Sequence, residues 1–585
     1  MGKGDRVPYF CRNRGVSFRG NNTNNTKKCK LAVALAMVML VAPVAAISAG
    51  CDHNSSLSSD AANLSSTDFI GYIPISSPSD LAKIGNNVAY PLDGKYYLKN
   101  DINFGKTDTN GRKDGNFDPI GNYDTPFTGT FDGNGYVISG VNIKLTTAFI
   151  AYSDPHTEIE AIAGLFAFVS GANILNLGLV NGSISLTGDI DFAKAAGAGN
   201  LPNTGFVVIA GSIIGTSGGN NNQTSSQITN CYNTCSVTAS VSPGIGIEAV
   251  FAGGVAGTGN VQITDCYNTG SVTAISTSDL ISSIAVAGGI VGQANNNFLA
   301  TNCYNTGSVT ATANSASSYG SFSVADSAAG GIVGSSGSYG QISNSYNTGS
   351  VIAMSSSNYV SNDPSNYNES GAGGIAGVVD LSFISNCYNI GSVSVSVTSP
   401  SKITYYAGGI YGWLISGSFI TNCYFLTDII EHTVNGSQVE DNDIGNNPNS
   451  AVVIDGSESG LPRAGSQGSG AYTAQQLKPA LANAKNNNST YYTGTTALYS
   501  LTFDGWDFDS IWTIDPGTNN GFPILSALSD SYSGSSGDSG GSDSRSSDSS
   551  SSGSGSNMAL YAGVVVVIVI IGGCAVFFLH RGGKI

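Results

Sequence analysis

Charge is what this chain lacks most. Asp, Glu, Lys and Arg make up 11% of 585 residues, histidine occurs 4 times, and 23 basic residues stand against 39 acidic ones, a formal net charge of −16. An acidic surface repels phosphate backbones, so nucleic acid is excluded as an expected partner. Between Lys194 and Lys402 there is no Lys, Arg or His, and the acids there are few and scattered: Glu248, Asp265, Asp279, Asp326, Asp363, Glu369 and Asp380. Glycoside hydrolysis needs a close pair of carboxylates, and single acids on a neutral background do not supply one. A nucleophilic serine needs a base to activate it. The histidines, His53, His156, His432 and His580, lie far apart in the chain, and no His-Glu-x-x-His string exists to hold a peptidase zinc. We therefore name no catalytic, cofactor-binding or metal-binding residue, and expect no enzyme and no cofactor. Were a carbohydrate-active site present, it would lie in the less repetitive stretches Asp101–Glu160 or Glu431–Asp515, which carry Arg112 and Arg463.

Helical periodicity is also missing from most of the chain. Ser, Thr, Asn and Gly dominate, and apolar residues do not recur at i, i+3, i+4 over a long window. What is there instead is repetition. Six related phrases start at Ile228, Ile263, Ala300, Ile342, Ile384 and Ile420, at steps of 35, 37, 42, 42 and 36 residues; the second reads Ile-Thr-Asp-Cys-Tyr-Asn-Thr-Gly-Ser-Val. A second phrase precedes them, Ala-Gly-Gly-Val-Ala-Gly at Ala252, with close copies at Ala287, Ala329, Ala372 and Ala407 and the variant Ala-Gly-Ser-Ile-Ile-Gly at Ala210. Repetition at a period of this size is the mark of a repeat architecture. Ile263 and Val272 are β-branched strand formers, and Asn268-Thr-Gly270 between them is turn chemistry. Short strands, corners and a fixed period predict an all-β parallel β-helix or similar solenoid. The period fits either one long rung per repeat or two short ones.

Stacking rungs would align like residues. Cys231, Cys266, Cys303, Ser345, Cys387 and Cys423 form one such row. Serine in one place points to a small buried side chain. Disulfide pairing along the stack, or a Cys231–Cys235 bridge, stays open, and the spacing is wrong for zinc. Stacked asparagines can bond one another's amides along the axis.

Outside the array, Leu81–Ile84 reads as a helical turn and Tyr96–Phe104 as a strand. Asp132-Gly-Asn-Gly135 reads as a hairpin or solenoid corner, rather than a calcium loop, which needs further spaced acids. Ala163–Val180 reads as a degenerate repeat. Trp506 to Trp512 and Asn519 to Leu525 read as a segment that closes the last rung; the tryptophans could instead offer a sugar-stacking platform.

The Gly-Gly-x-x-Gly strand followed by Ile-x-Asn-Cys-Tyr-Asn-Thr-Gly-x-Val resembles the GLUG repeat. The opening Asn100-Asp-Ile-Asn103, Pro119-Ile-Gly121 and Phe127–Tyr136, and the closing Trp512–Asp515 and Gly521–Leu525, are similar to segments that flank such arrays. The resemblance covers about residues 80–525. It implies a β-helical surface protein, as in bacterial and archaeal adhesins and some IgA-cleaving metallopeptidases. It implies no chemistry, since fold does not fix function.

The ends give an address. Lys27-Lys-Cys-Lys30 precedes an apolar run from Leu31 to Ala49, followed by small residues, as in a secretory signal. Cleavage after Ala46 or Ala49, lipidation of Cys51 and an uncleaved anchor all remain open. Met558 to Leu579 is uncharged and long enough to span a bilayer, and His580, Arg581 and Lys584 after it place the tail in the cytoplasm. The expected plan is a leader and signal peptide (1–50), a spacer (51–79), an opening segment (80–162), the repeat solenoid (163–430), a closing region (431–526), a Ser/Gly/Asp-rich stalk (527–557), a membrane helix (558–579) and a cytoplasmic tail (580–585). Asn-x-Ser/Thr sites at Asn54, Asn63, Asn181, Asn222, Asn368, Asn435 and Asn488 would permit glycosylation. The function expected is that of a membrane-anchored cell-surface protein whose extracellular repeats make adhesive contact with a glycan or protein. An enzyme acting on polysaccharide and a structural spacer are the alternatives.

Overall fold

A computed structural model of the chain describes residues 69–434 apart from 106, 111–114, 147–150, 153–157, 189–204, 219–224, 242–246, 280–281, 317–323, 359–367, 401–402, 417, 422 and 427–429; beyond these it describes 437–438, 470–472, 506–508, 510–513, 519 and 523–528. The signal-like run, the stalk from residue 529 on and the segment Met558–Leu579 lie outside the described residues, while Leu528, expected in the stalk, packs with the closing segment. Among the described residues no helix is long and apolar enough to cross a membrane.

The array is a parallel β-solenoid with one rung per repeat. The chain visits five sheets in order before returning to the first. In one rung these are Val261–Thr264 in sheet 1, Tyr267–Asn268 in sheet 2, Val272–Ser278 in sheet 3, Ser282–Gly288 in sheet 4 and Val291–Ala294 in sheet 5, after which Leu299–Thr301 re-enters sheet 1. The sheets hold 10, 10, 9, 8 and 7 strands respectively. Register follows the repeat: Ile228 pairs with Ile263, Ile263 with Ala300, Ala300 with Ile342 and Ile342 with Ile384. A 35–42 residue period is thus one long rung, which settles the choice the period alone left open.

The opening segment belongs to the same stack. Lys95–Leu98 lies in sheet 1 and Ile102–Asn103 in sheet 2, so the stretch expected as one strand is two, joined by a corner. Thr130–Asp132 and Val137–Ser139 likewise lie in sheets 1 and 2, which makes Asp132-Gly-Asn-Gly135 a solenoid corner and not a hairpin. Asn134 takes φ 51° there. Ile174 pairs with Ile228, so the degenerate repeat is a full rung in register. A one-turn helix, Pro78–Leu81, is capped by Ser77, whose side chain accepts from the Asp80 N–H. It buries Leu81, as does Ile84 just beyond, against the first rungs.

The rungs bury one continuous apolar column, from Ile75 to Val434. Sheet 4 is buried on both faces. Val250, Ala252, Ala285 and Ala287 enter the main column, while Ala249, Phe251, Ile284 and Val286 join a second cluster with Ala167, Phe168 and Val378 of sheet 5. Sheet 4 is therefore a middle layer, and its strands are nearly continuous buried runs, as a strand covered on both sides should be.

Polar stitching runs along the axis in two rows. At the corner between sheets 1 and 2, Asn176, Asn230, Asp265, Asn302, Asn344 and Asn386 all take φ of 49–55°, where Asn and Asp fit best after glycine. Asn176 Nδ2 donates to Asp132 Oδ1 at 3.0 Å, Asn230 to Asn176 at 2.8 Å, Asn302 to Asp265 at 2.9 Å, Asn344 to Asn302 at 3.2 Å and Asn386 to Asn344 at 3.1 Å. A second row is fully buried: Asn233 Nδ2 donates to Asn268, Asn268 to Asn305, Asn305 to Asn347 and Asn347 to Asn389, each at 2.8 Å. Each of these amides also donates to the carbonyl two residues on, as Asn305 does to Gly307 O at 2.8 Å.

The buried row explains why two phrases recur together. The second glycine of each Ala-Gly-Gly sits on the buried Asn of the following phrase. A β-carbon at Gly254, Gly289, Gly331 or Gly374 would lie 2.6, 2.5, 2.5 or 2.3 Å from Cγ of Asn268, Asn305, Asn347 or Asn389. Only glycine lets the sheet 4–sheet 5 turn approach the ladder so closely.

Candidate binding surface

Outward positions are where this solenoid can meet a partner, and the sheets differ in what they show. Sheet 1 presents two rows. Asn173, Gln227, Gln262, Leu299, Gln341, Phe383 and Phe419 align rung by rung. Beside them run Thr229, Thr264, Thr301, Ser343, Ser385 and Thr421, with Thr301 Oγ1 and Ser343 Oγ 3.1 Å apart. From Asn173 to Thr421 neither row holds a charged residue; on the opening rungs the same rows continue through Thr130 to Lys95 and through Leu175 to Asp132. The first ends in an aromatic pair: Phe383 and Phe419 stack at 5.3 Å and are 44% and 40% exposed. At the corner ahead of Gln341, the row neighbour of Phe383, Tyr339 is 54% exposed. Its N–H donates to Leu381 O at 2.9 Å, which places Tyr339 and Leu381 at the same corner of adjoining rungs.

Sheet 2 turns a column of tyrosines outward. Tyr232, Tyr267, Tyr304, Tyr346 and Tyr388 stack face to face at 4.7–5.1 Å, with planes within 7°. From Tyr304 on, this column is covered, not open. Trp506, Trp512, Ile524, Leu525 and Leu528 pack on Tyr304, Tyr346, Tyr388 and Tyr424. The Tyr388 hydroxyl donates to Pro523 O and accepts from Asn519 Nδ2 at 2.7 Å. Trp512–Thr513 pairs antiparallel with Ile524–Leu525. The closing segment is thus a strap along the flank of four rungs rather than a lid over the last one. Its tryptophans are buried, Trp512 completely, which removes them as an open sugar platform. The recurring tyrosine was the signal for this; the sequence did not say that it points outward.

The cysteine row lies inside. Cys231, Cys235, Cys266, Cys303, Cys387 and Cys423 are buried free thiols, so no bridge joins Cys231 to Cys235. Ser345 takes its place in the row by the same bonds: its hydroxyl donates to Ser343 O at 2.8 Å, as Cys303 Sγ does to Thr301 O at 3.3 Å. Burial pushes the Cys303 thiol up to about 12 and that of Cys235 up to about 11. Cys266 and Cys387 are raised by burial and then by the neighbouring thiol. These are inert core thiols, not nucleophiles.

The acids that looked scattered are not all apart. Glu369 N–H donates to Asp326 Oδ1 at 3.0 Å, so the two lie on adjoining rungs of sheet 4. Both are buried, as are Glu248 and Asp380. Among the described residues no group of three His, Cys, Asp or Glu could hold a metal ion. His432 lies in the strand Ile430–Val434, paired with Val395; Arg112, Arg463, Asp363 and the other three histidines lie outside the described residues. Asn181 is an exposed corner residue, open to a glycan, whereas Asn368 is buried and is not.

The fold and its surface define a repeat-built, nearly all-β parallel solenoid, one sheet of which presents an outward face without charge from Asn173 to Thr421. No family model matches the chain, and no curated protein matches it. Among solved structures, that of a candidate immunoglobulin A1 protease from Bacteroides ovatus is similar over 78% of this chain and 92% of its own, at 19% identity and a TM-score of 0.37. A likeness of that size carries neither fold nor activity across.

Proposed function

We propose that this is a GLUG-type surface protein, exported by its N-terminal signal, held by the helix Met558–Leu579, and used for adhesive contact without catalysis. The observation that carries the reading is the distribution of side chains over the rungs. Four acids of the array, Glu248, Asp326, Glu369 and Asp380, are buried, which leaves, among the described residues, only the half-buried Asp265 and the exposed Asp279 outside, and from Gln227 to Thr421 the outward rows of sheet 1 consist of Gln, Ser and Thr with one leucine, Leu299, and an aromatic end. Such a face can bind but has no group to move a proton. Similar outward residues repeated along the axis, on many anchored copies, raise avidity without strong single contacts. The Ser/Gly/Asp stalk before Met558 would give the domain reach and freedom to find a surface.

Two measurements on cells making the full chain test this. Protease added to intact cells should remove the solenoid and leave a membrane stub near Met558, with first cuts between 527 and 557; repeats that survive until lysis would refute the topology. Cells incubated with polysaccharides should retain them without releasing new reducing ends. Steady release would replace adhesion with the enzyme reading.

A further inference from the structure

Resting on the adhesive reading, we infer that the outward face of sheet 1 binds a neutral polysaccharide, laid along the stacking axis, with Tyr339, Phe383 and Phe419 as the end on which sugar rings stack. The rows provide the matching chemistry. Carboxamides and hydroxyls both donate and accept, as sugar hydroxyls do, and Gln227, Gln262 and Gln341 are all exposed. The face lacks formal charge from Asn173 to Thr421 in both rows. A polyanion or a basic peptide would find no counter-charge there and would lose its water for nothing. The nearest acid at the edge, Asp265, already holds Asn302 Nδ2 at 2.9 Å. Exposed apolar carbon for a pyranose ring is also present at one end of the rows, in the stacked pair Phe383 and Phe419 and in Tyr339 at a neighbouring corner, residues that are 40–54% exposed. Gln227 to Phe419 spans six rungs, hence five spacings, roughly 24 Å at the usual strand separation of ~4.8 Å. That is room for an oligosaccharide rather than a single sugar.

Backbone strain points to the same place. Asn297 holds the left-handed corner ahead of Leu299, at φ 62°, where asparagine is well suited. At the next two corners the residues are Tyr339 at φ 64° and Leu381 at φ 44°. Bulky side chains are rare in that conformation, and such strain concentrates where a side chain is wanted for contact. Folding alone would favour Asn or Gly at both positions.

The test uses the full chain in detergent micelles, titrated calorimetrically with cellohexaose, mannohexaose and maltohexaose, and in separate arms with polygalacturonate and with phosphatidylcholine vesicles; self-association is followed by light scattering. At least one neutral hexasaccharide should bind, and polygalacturonate should not. The double variant F383A/F419A should weaken that binding about tenfold or more. Tyr339→Asn removes a ring while relieving the corner, so it should fold at least as well as the parent and still bind more weakly. Val88→Ala, at a 99% exposed residue on the opening segment, should change nothing. Unchanged binding in F383A/F419A and Tyr339→Asn overturns the assignment of the face. So does binding of none of the neutral sugars, or an effect of the variants confined to vesicle binding or to self-association, which would give the face to lipid or to a second copy. Attachment of cells carrying F383A/F419A separates the two levels. If they still attach to target cells while sugar binding is lost or was never seen, the adhesive reading stands and this inference falls. If parent cells do not attach either, the adhesive reading falls with it.

Discussion

Replacing Asn305 by alanine should loosen the solenoid locally, by an amount that its contacts set. Asn305 is completely buried. Its Nδ2 donates to Gly307 O and to Asn347 Oδ1, and its Oδ1 accepts from Asn268 Nδ2, all at 2.8 Å. Two of the partners keep another bond: Asn268 Nδ2 still reaches Gly270 O at 2.7 Å, and Asn347 Oδ1 still accepts from Gly349 N at 3.2 Å. The Gly307 carbonyl loses its side-chain donor, and each buried polar group left unpaired costs about 1–3 kcal/mol. With the two weakened partners and the small cavity under Gly289, the total comes to about 3–4 kcal/mol. Asn305→Asp should be worse at neutral pH, because its second oxygen would face Gly307 O and Asn347 Oδ1, acceptor against acceptor. Its carboxyl would be driven to stay protonated in the fold, with a pKa above the unfolded value of about 3.9. Its penalty should therefore grow as pH rises from about 4 and shrink in acid, whereas the alanine penalty should be flat with pH. Rungs of a repeat protein open regionally, so the assay is amide hydrogen exchange of the full chain in micelles, read rung by rung. Asn305→Ala should speed exchange in the rung Leu299–Ser315 by roughly 100-fold or more, since 1.4 kcal/mol is a factor of ten. An effect below about fivefold, or the same pH dependence in both variants, would refute the ladder as a source of stability.

Three further outcomes follow from the same contacts. Gly289→Ala should destabilise by several kcal/mol, of the order of strong core overpacking (about 3 kcal/mol), because its β-carbon would stand 2.0 Å from Gly331 O; melting within about 1 °C of the parent would contradict this. Cys266, Cys303 and Cys387 should resist alkylation in the native protein and react once denatured, while Cys303→Ser should cost little, as Ser345 shows. Since burial raises the folded pKa of these thiols and of Cys235 above the unfolded value, they support the fold below pH ~9 and should withdraw that support as pH rises from there toward about 12; stability that climbs across that range would be wrong. Trp512→Ala should free the strap, at a cost of about 3–5 kcal/mol for a buried tryptophan, and expose residues 506–528 to protease while the rungs hold; an unchanged digestion pattern would deny the strap its anchor.

Much of this fold was legible because a solenoid writes its geometry as a period. The step between phrases gave stacking, and stacking gave the cysteine and asparagine rows before any contact was known. The substitution at Ser345 alone pointed to buried thiols. What stayed hidden was anything that depends on the direction a side chain takes between rungs. The two tyrosine-bearing strand residues alternate, so Tyr faces out and its neighbour Asn faces in, yet both recur equally in the sequence. Sheet 4 could not be recognised as a middle layer because small residues such as Ala249 and Ala252 read alike whichever face they serve. The glycine–asparagine contact did leave a trace: in the last rung Asn gives way to Phe425, and a β-carbon at Gly409 would stand 1.9 Å from that ring. The closing segment was placed over the end by a general need to cover strand edges, but its aromatic residues follow the tyrosines, which offer more apolar area on the flank. The outward aromatic end of sheet 1 leaves no mark in the sequence because Phe383 and Phe419 occupy the variable position just ahead of the phrase, where Gln262 and Gln341 sit in other rungs.

Attachment as a function of surface density tests the functional account most directly. Cells carrying the full chain at graded copy number would be counted on target cells and on polysaccharide-coated glass, at low and at high salt. The account predicts attachment that rises steeply with copy number and persists in high salt, because an uncharged face has little for salt to screen. Attachment that is absent at every density, or that collapses in high salt as a charge-driven contact would, contradicts it.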